Sequence, residues 1–133
     1  YLHWKADILT EFDPFETGLD RFVAMDKVDF VGKAAVVERR KSPPEKCLVT
    51  LCLEQDHAPA HGGASVMDGD RVVGTITSGG YGHRVGKNLG YGFVEQGFSQ
   101  IGTRVEVDVL GRRVGAVVCE RSPYDPAMVR VRS

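Results

Sequence analysis

A mostly β domain, folded as a small antiparallel barrel or sandwich behind a short N-terminal helical segment, is the fold that these 133 residues predict. From Lys46 onward the apolar residues follow a period of two. The pattern is strictest in TRVEVDVL, where Val105, Val107 and Val109 face one way and Arg104, Glu106 and Asp108 the other. Glycine-bearing turns separate the apolar runs at short intervals. Only DFVGKAAVVERRK carries the signals of a regular helix.

The length suits one domain, and folding removes roughly two-thirds of such a chain's unfolded surface, enough for a core without metal or disulfide staples. With 42% hydrophobic and 26% charged residues, the chain is neither a disordered tail nor a membrane protein. Its 17 basic and 18 acidic side chains leave a net charge of −1, which argues against nucleic acid as a partner. No apolar run approaches the ~20 residues that span a bilayer, and no signal-peptide pattern opens the chain. These features predict a soluble domain with neither membrane nor nucleic-acid partners. The opening YLHWKADI reads as the middle of an element, so we expect a domain cut from a longer polypeptide.

Residues 1–45 read as helix and loop. In TEFDPFETGLDRFV, Asp13 is placed to cap a short turn starting at Pro14, and Gly18 weakens any longer helix. The helix is expected at residues 32–41, with Val31, Ala34 and Ala35 on an apolar face. Arg39, Arg40 and Lys41 complement the dipole at its end, and Ser42-Pro43-Pro44 stops it. That cationic run reads as a helix end in preference to an anion patch. Residues 46–133 read as the β domain. KCLVTLCL is a strand, and ASVMD and RVVGTITS flank the turn pair Gly69-Asp70 as a hairpin. LGYGFVE, TRVEVDVL and, after Gly111, RRVGAVVCER supply the remaining strands.

Several groups invite a functional reading. Thr77 to Gly92, TSGGYGHRVGKNLGYG, fits neither a dinucleotide fingerprint nor a P-loop. It reads as an irregular connection whose glycines take positive φ, the alternative being a loop that also lines a ligand cleft. His57 and His61 have H-x-x-x-H spacing, with Glu54 and Asp56 nearby. Pro59 and Gly62-Gly63 make a regular helix unfavourable there, so a solvated loop is expected rather than a metal site. Ser78 lies outside any G-x-S-x-G elbow, and a Ser78–His83 nucleophile pair has little support. Asp7, Glu11, Asp13, Glu16 and Asp20 read as a solvated acidic face with a helix cap among them. Cys47, Cys52 and Cys119 are an odd number without C-x-x-C spacing, and Cys47 and Cys52 point to opposite faces of one strand. Buried free thiols in a reducing compartment are expected.

The segment FDPFETGLDRFVAMDKVDFVGKAAV resembles the aminomethyltransferases (glycine-cleavage T-proteins) through Pro14, Glu16, Gly18, Leu19, Lys27, Asp29, Phe30, Gly32 and Lys33. GDRVVGTITSGGYGHRVGKNLGYGFV resembles their Gly-x-Val-Thr-Ser-Gly … Gly-Tyr-Val segment through Gly74, Thr77, Ser78, Gly79, Gly92 and Val94, with Phe93 in the tyrosine's place. Ser-Gly-Gly-Tyr-Gly-His, together with His3-Trp4-Lys5-Ala6-Asp7, is more similar to the flavin-dependent branch of dimethylglycine and sarcosine dehydrogenases.

The resemblance implies one lobe of a larger oxidoreductase of one-carbon metabolism. Its last domain would be a small β-barrel, and residues 1–45 would join it to a preceding folate-binding domain. Tetrahydrofolate in the complete enzyme would accept a one-carbon unit from an N-methyl amine, and FAD would sit on a missing N-terminal domain. Neither cofactor is expected on this fragment alone. Upstream domains of the same polypeptide would be its partners. No catalytic residue carries over, because the family's key acidic group lies in its first domain. Trp4, His3 and Tyr124 are the candidate folate-contacting residues, with Trp4 as a core anchor the competing reading. A flavin-free aminomethyltransferase and a free-standing binding barrel are the rival functions. Cytoplasm, or the mitochondrial matrix in a eukaryote, is the expected compartment.

Overall fold

The computed structural model describes residues 2–55 and 57–132, leaving Tyr1, Asp56 and Ser133 outside the described residues. Six strands carry the fold: β1 (Lys46–Leu53), β2 (Ser65–Asp68), β3 (Arg71–Gly82), β4 (Lys87–Glu95), β5 (Arg104–Val109) and β6 (Arg112–Cys119). They close into a barrel in the order β1-β4-β3-β2-β5-β6, every neighbouring pair antiparallel. Closure decides between barrel and sandwich, and it leaves no strand edge unpaired. The alternation in β5 points Val105, Val107 and Val109 inward, where they meet Leu51, Val66, Val73, Ile76, Val94 and Val118. Residues 54–64 cross from β1 to β2, and Ala60 and Ala64 are buried in the core cluster.

The glycine-rich stretch differs from expectation. It is not an irregular loop: β3 continues through Gly82, and β4 resumes at Lys87. Gly86 alone between them has positive φ, at 70°. Gly79 is required for a different reason, because a Cβ there would lie 2.1 Å from the carbonyl oxygen of Ala60. Close backbone approach within a paired strand, rather than turn conformation, selects that glycine.

The expected helix is present as α1 (Lys33–Arg39), and a second, one-turn α2 (Val129–Arg132) lies in the tail. The apolar face of α1 is not covered as expected. No residue of α1 is buried, Ala34 and Ala35 are exposed, and Val31 is fully exposed. The cysteines are free as expected but half-buried rather than buried. Cys47 packs against the core, whereas Cys52, opposite Val117, faces outward.

Candidate functional site

Residues 3–18 form a strap across the outside of the barrel, and its most consequential side chain is Asp7. Sequence reading places Asp7 on a solvated face; instead it is fully buried. Its Oδ1 accepts hydrogen bonds from Thr77 Oγ1 and, at 2.7 Å, from Ser78 Oγ, while Oδ2 accepts the His3 backbone N–H at 2.7 Å. A buried carboxylate needs such donors, since an unpaired charge in the interior is far costlier than a paired one. The amides of Ala6, Asp7 and Ile8 all donate to the His3 carbonyl, which closes residues 3–8 into a tight turn. Ser78 therefore donates directly to a carboxylate with no imidazole between them. His83 instead meets Tyr81 edge-on at 5.0 Å between ring centroids. This is a positioning device and not a nucleophile triad.

The rest of the strap is fastened in turn. Phe12 stacks on Phe93 with centroids 3.7 Å apart, so the residue standing in the tyrosine's place holds the strap. Asp13 caps the Pro14 turn as expected, accepting from the Phe15 and Glu16 amides at 2.8 and 2.9 Å. Glu16 Oε2 in turn accepts from the Asp13 amide at 3.0 Å. Arg39 at the end of α1 grips both carboxylates, at 2.5 Å from Asp13 and 3.8 Å from Glu16, so it is a clamp rather than a free helix end. The Glu16 carbonyl accepts the Leu48 amide of β1 at 2.7 Å, and the Gly18 carbonyl accepts Arg121 Nη1 at 2.6 Å. Burial lowers the Arg121 pKa, and nearby Arg21 adds to the effect. Burial also raises the Tyr91 phenol pKa, with Asp7 repelling the phenolate.

The three candidate folate-contacting residues occupy two separate places in the contact network. His3 and Trp4 are exposed on the Asp7 turn, Trp4 at 61% of its free surface, so Trp4 is not a core anchor within this chain. Tyr124 lies in the tail with the guanidiniums of Arg84 and Arg130 at 5.7 and 5.4 Å from its ring centroid. A cavity of about 290 Å³ opens beside the Asp7 cluster, lined by Ser78, Gly80, Tyr81, Leu89 and Tyr91 among others. The glycine-rich stretch, a hairpin and not the loop expected, thus lines a cavity. A larger cavity of about 780 Å³ lies at the β1–β6 seam.

His57 and His61 are exposed on the crossover, Asp56 beside them lies outside the described residues, and Glu54 pairs with Arg104 at 2.9 Å. Among the described residues no group of three His, Cys, Asp or Glu side chains could hold a metal ion. No described helix is long and apolar enough to cross a membrane. Sequence reasoning missed the meeting of Asp7 with Thr77 and Ser78. The available signal was that Asp7 and Ser78 stand in the two motifs marking the flavin-dependent resemblance, with Thr77 beside them in the segment shared with the T-proteins.

Known proteins resemble this chain in sequence and in fold. The model of the glycine cleavage T-protein C-terminal barrel domain matches residues 46–125. Human mitochondrial dimethylglycine dehydrogenase is 33% identical over 118 residues, covering 88% of this chain and 14% of that protein. Aminomethyltransferase of Thermosynechococcus vestitus is 36% identical over 123 residues, covering 92% of this chain and 33% of that protein. The crystal structure of glycine cleavage system aminomethyltransferase T from Bartonella henselae superposes with a TM-score of 0.83 at 25% identity, covering 91% of this chain and 34% of that one. The chain therefore spans 14% to 34% of the length of these relatives. With the closed six-strand barrel and the matched residues together, the chain belongs to the glycine cleavage T-protein C-terminal barrel family.

Proposed function

We propose that this chain is the C-terminal T-protein-like domain of a folate-dependent flavoprotein that oxidatively demethylates dimethylglycine or sarcosine and passes the one-carbon unit to tetrahydrofolate. One observation carries this reading: the two motifs most similar to the dehydrogenase branch, His3–Asp7 and the Ser-Gly-Gly-Tyr-Gly-His that starts at Ser78, are bonded to each other through Ser78 and Asp7. Identities of 33% and 36% to a dehydrogenase and a transferase do not separate the branches, so these residues bear the weight. On this reading residues 1–45 join the barrel to a folate-binding domain upstream, and FAD belongs to a further domain. The isolated chain would be inactive. A mitochondrial or cytoplasmic setting suits such an enzyme, mitochondrial being the word in the human relative's name.

The residues present fit a shared folate site. Trp4 offers an exposed indole on a turn held rigid by Asp7, a surface suited to packing against a flat pterin supplied with its other contacts by the upstream domain. Tyr124, flanked by Arg84 and Arg130, presents cations suited to the carboxylates of a folate tail. Bound folate supplies the amine nucleophile for an electrophilic iminium carbon. The chain's own part is to hold the folate in place and keep water from releasing formaldehyde.

The test uses the native polypeptide with dimethylglycine or sarcosine and tetrahydrofolate. Trp4→Ala should leave amine oxidation intact while shifting product from methylenetetrahydrofolate to free formaldehyde. A native polypeptide without flavin and without amine oxidation would overturn the reading. It would favour the flavin-free aminomethyltransferase, which the 0.83 TM-score to such an enzyme supports as second choice.

A further inference from the structure

The β1–β6 seam carries chemistry that the folate reading leaves unused. Cys52 on β1 and Cys119 on β6 stand 67 positions apart in sequence, yet their Sγ atoms lie 2.7 Å from each other. Both are free thiols and both are half-buried. The register pairs Cys52 with Val117 and Thr50 with Cys119, which makes the two cysteines diagonal neighbours on one face of the sheet. Both line the cavity of about 780 Å³, in company with Lys87 and Arg104. Cys47 is set apart from them, packed against the core on the other face of β1. Thiols in contact inside an accessible cavity are placed for two-sulfur chemistry. The described residues supply no third donor that would favour a metal instead.

We propose that Cys52 and Cys119 form a thiol–disulfide exchange site that takes a low-molecular-weight disulfide of the glutathione class and closes into one bond across the β1–β6 seam. The Cys52 thiolate attacks one sulfur of the incoming disulfide and expels a thiolate, which takes up the proton Cys52 released. The Cys119 sulfur then attacks the Cys52 sulfur of the mixed disulfide and expels the second thiolate, which takes the Cys119 proton. The two protein thiols lose two electrons in total, and the small disulfide is reduced to two thiols. Burial and its Cys52 neighbour push the Cys119 thiol up to about 12, which suits Cys119 to the second, resolving attack. Lys87 favours the Cys119 thiolate and so assists the second step. The sulfurs already touch across paired strands, so the second attack starts from contact.

The native polypeptide is incubated with glutathione disulfide, remaining thiols are alkylated, and the peptides carrying Cys47, Cys52 and Cys119 are mapped without reduction. The expected result is a single Cys52–Cys119 cross-link, Cys47 still alkylated, and full reversal by dithiothreitol. Cys119→Ser should trap one glutathione on Cys52, and Cys52→Ser should abolish the cross-link and leave at most one glutathione on Cys119. As a measurement that needs no variant, phenylarsine oxide, which bridges paired thiols, should protect Cys52 and Cys119 together from alkylation. Glutathione on Cys52 and Cys119 without a cross-link, a disulfide involving Cys47, or reaction only after denaturation would each overturn the proposal.

Discussion

Residues 3–18 and residues 20–41 both lie outside the barrel, yet they are held in opposite ways. The strap buries Asp7 and Thr17, stacks Phe12 on Phe93, and lends carbonyls to Leu48 and Arg121. The arm that follows buries nothing: Phe22 is 71% exposed, Val28 96%, and Val31 fully exposed. Its recorded tie back to the strap is Arg39, gripping Asp13 and Glu16. A short helix with uncovered valines gains little from propensity alone, because most helical stability comes from packing an apolar face. The strap is part of this domain, whereas on the proposed function the arm would meet a surface that another part of the polypeptide provides. Exposed apolar groups clustered on one element mark such contacts, whereas single ones do not.

The largest expected effect comes from removing the strap's buried anchor. Asp7→Ala strands the hydroxyls of Thr77 and Ser78 and the His3 amide, and should cost about 3–4 kcal/mol in urea unfolding. A cost below about 1 kcal/mol would mean that the strap is no more fastened than the arm. Phe12→Ala removes a half-buried ring from Phe93 and should cost about 2 kcal/mol, less than a fully buried phenylalanine because part of the ring already meets solvent. Limited proteolysis should then cut within residues 9–20 before it cuts the barrel.

Alkaline pH sharpens the same contrast more gently. Tyr91, repelled by Asp7 of the strap, and Cys47, packed against the core and repelled by Glu16 of the strap, both have pKa values raised chiefly by burial. The folded chain therefore keeps protons that the unfolded chain sheds above about pH 9 for a thiol and pH 10 for a phenol. Stability is full below those values and falls as pH rises through the folded ones. Tm measured from pH 8 to 11 should decline, and Tyr91→Phe should flatten the upper part of that decline. The smallest effect belongs to the arm. Val28→Ser with Val31→Ser should change the stability of this chain by less than about 0.5 kcal/mol. The same pair in the longer polypeptide should loosen the barrel from its neighbour, seen as faster proteolysis between them.

The strands were legible because their alternation is local: Val105, Val107 and Val109 declare an inner face within five positions. Gly79 was not, because its reason is the carbonyl of Ala60, met only once the crossover lies against β3. A row of glycines carries the composition of a loop whether the chain turns there or packs closely. Asp7 failed in the same way. Its two hydroxyl donors stand 70 and 71 positions downstream, and nothing beside it in sequence distinguishes a buried carboxylate from the solvated Glu11. Of the site, Asp13 was read correctly as a cap because its partners are the next turn's own amides. The Cys52–Cys119 contact needed the pairing of β1 with β6 before the two could be placed on one face.

Hydrogen exchange, followed by mass spectrometry on this chain alone and on the polypeptide that carries it, tests the division between strap and arm most directly. The account predicts that amides in residues 6–8 and 17–19 are slow in both, like those of β1 and β4. Residues 20–41 should be fast in the isolated chain and become protected in the longer one. An arm already protected in isolation, or equally fast in both, would contradict it.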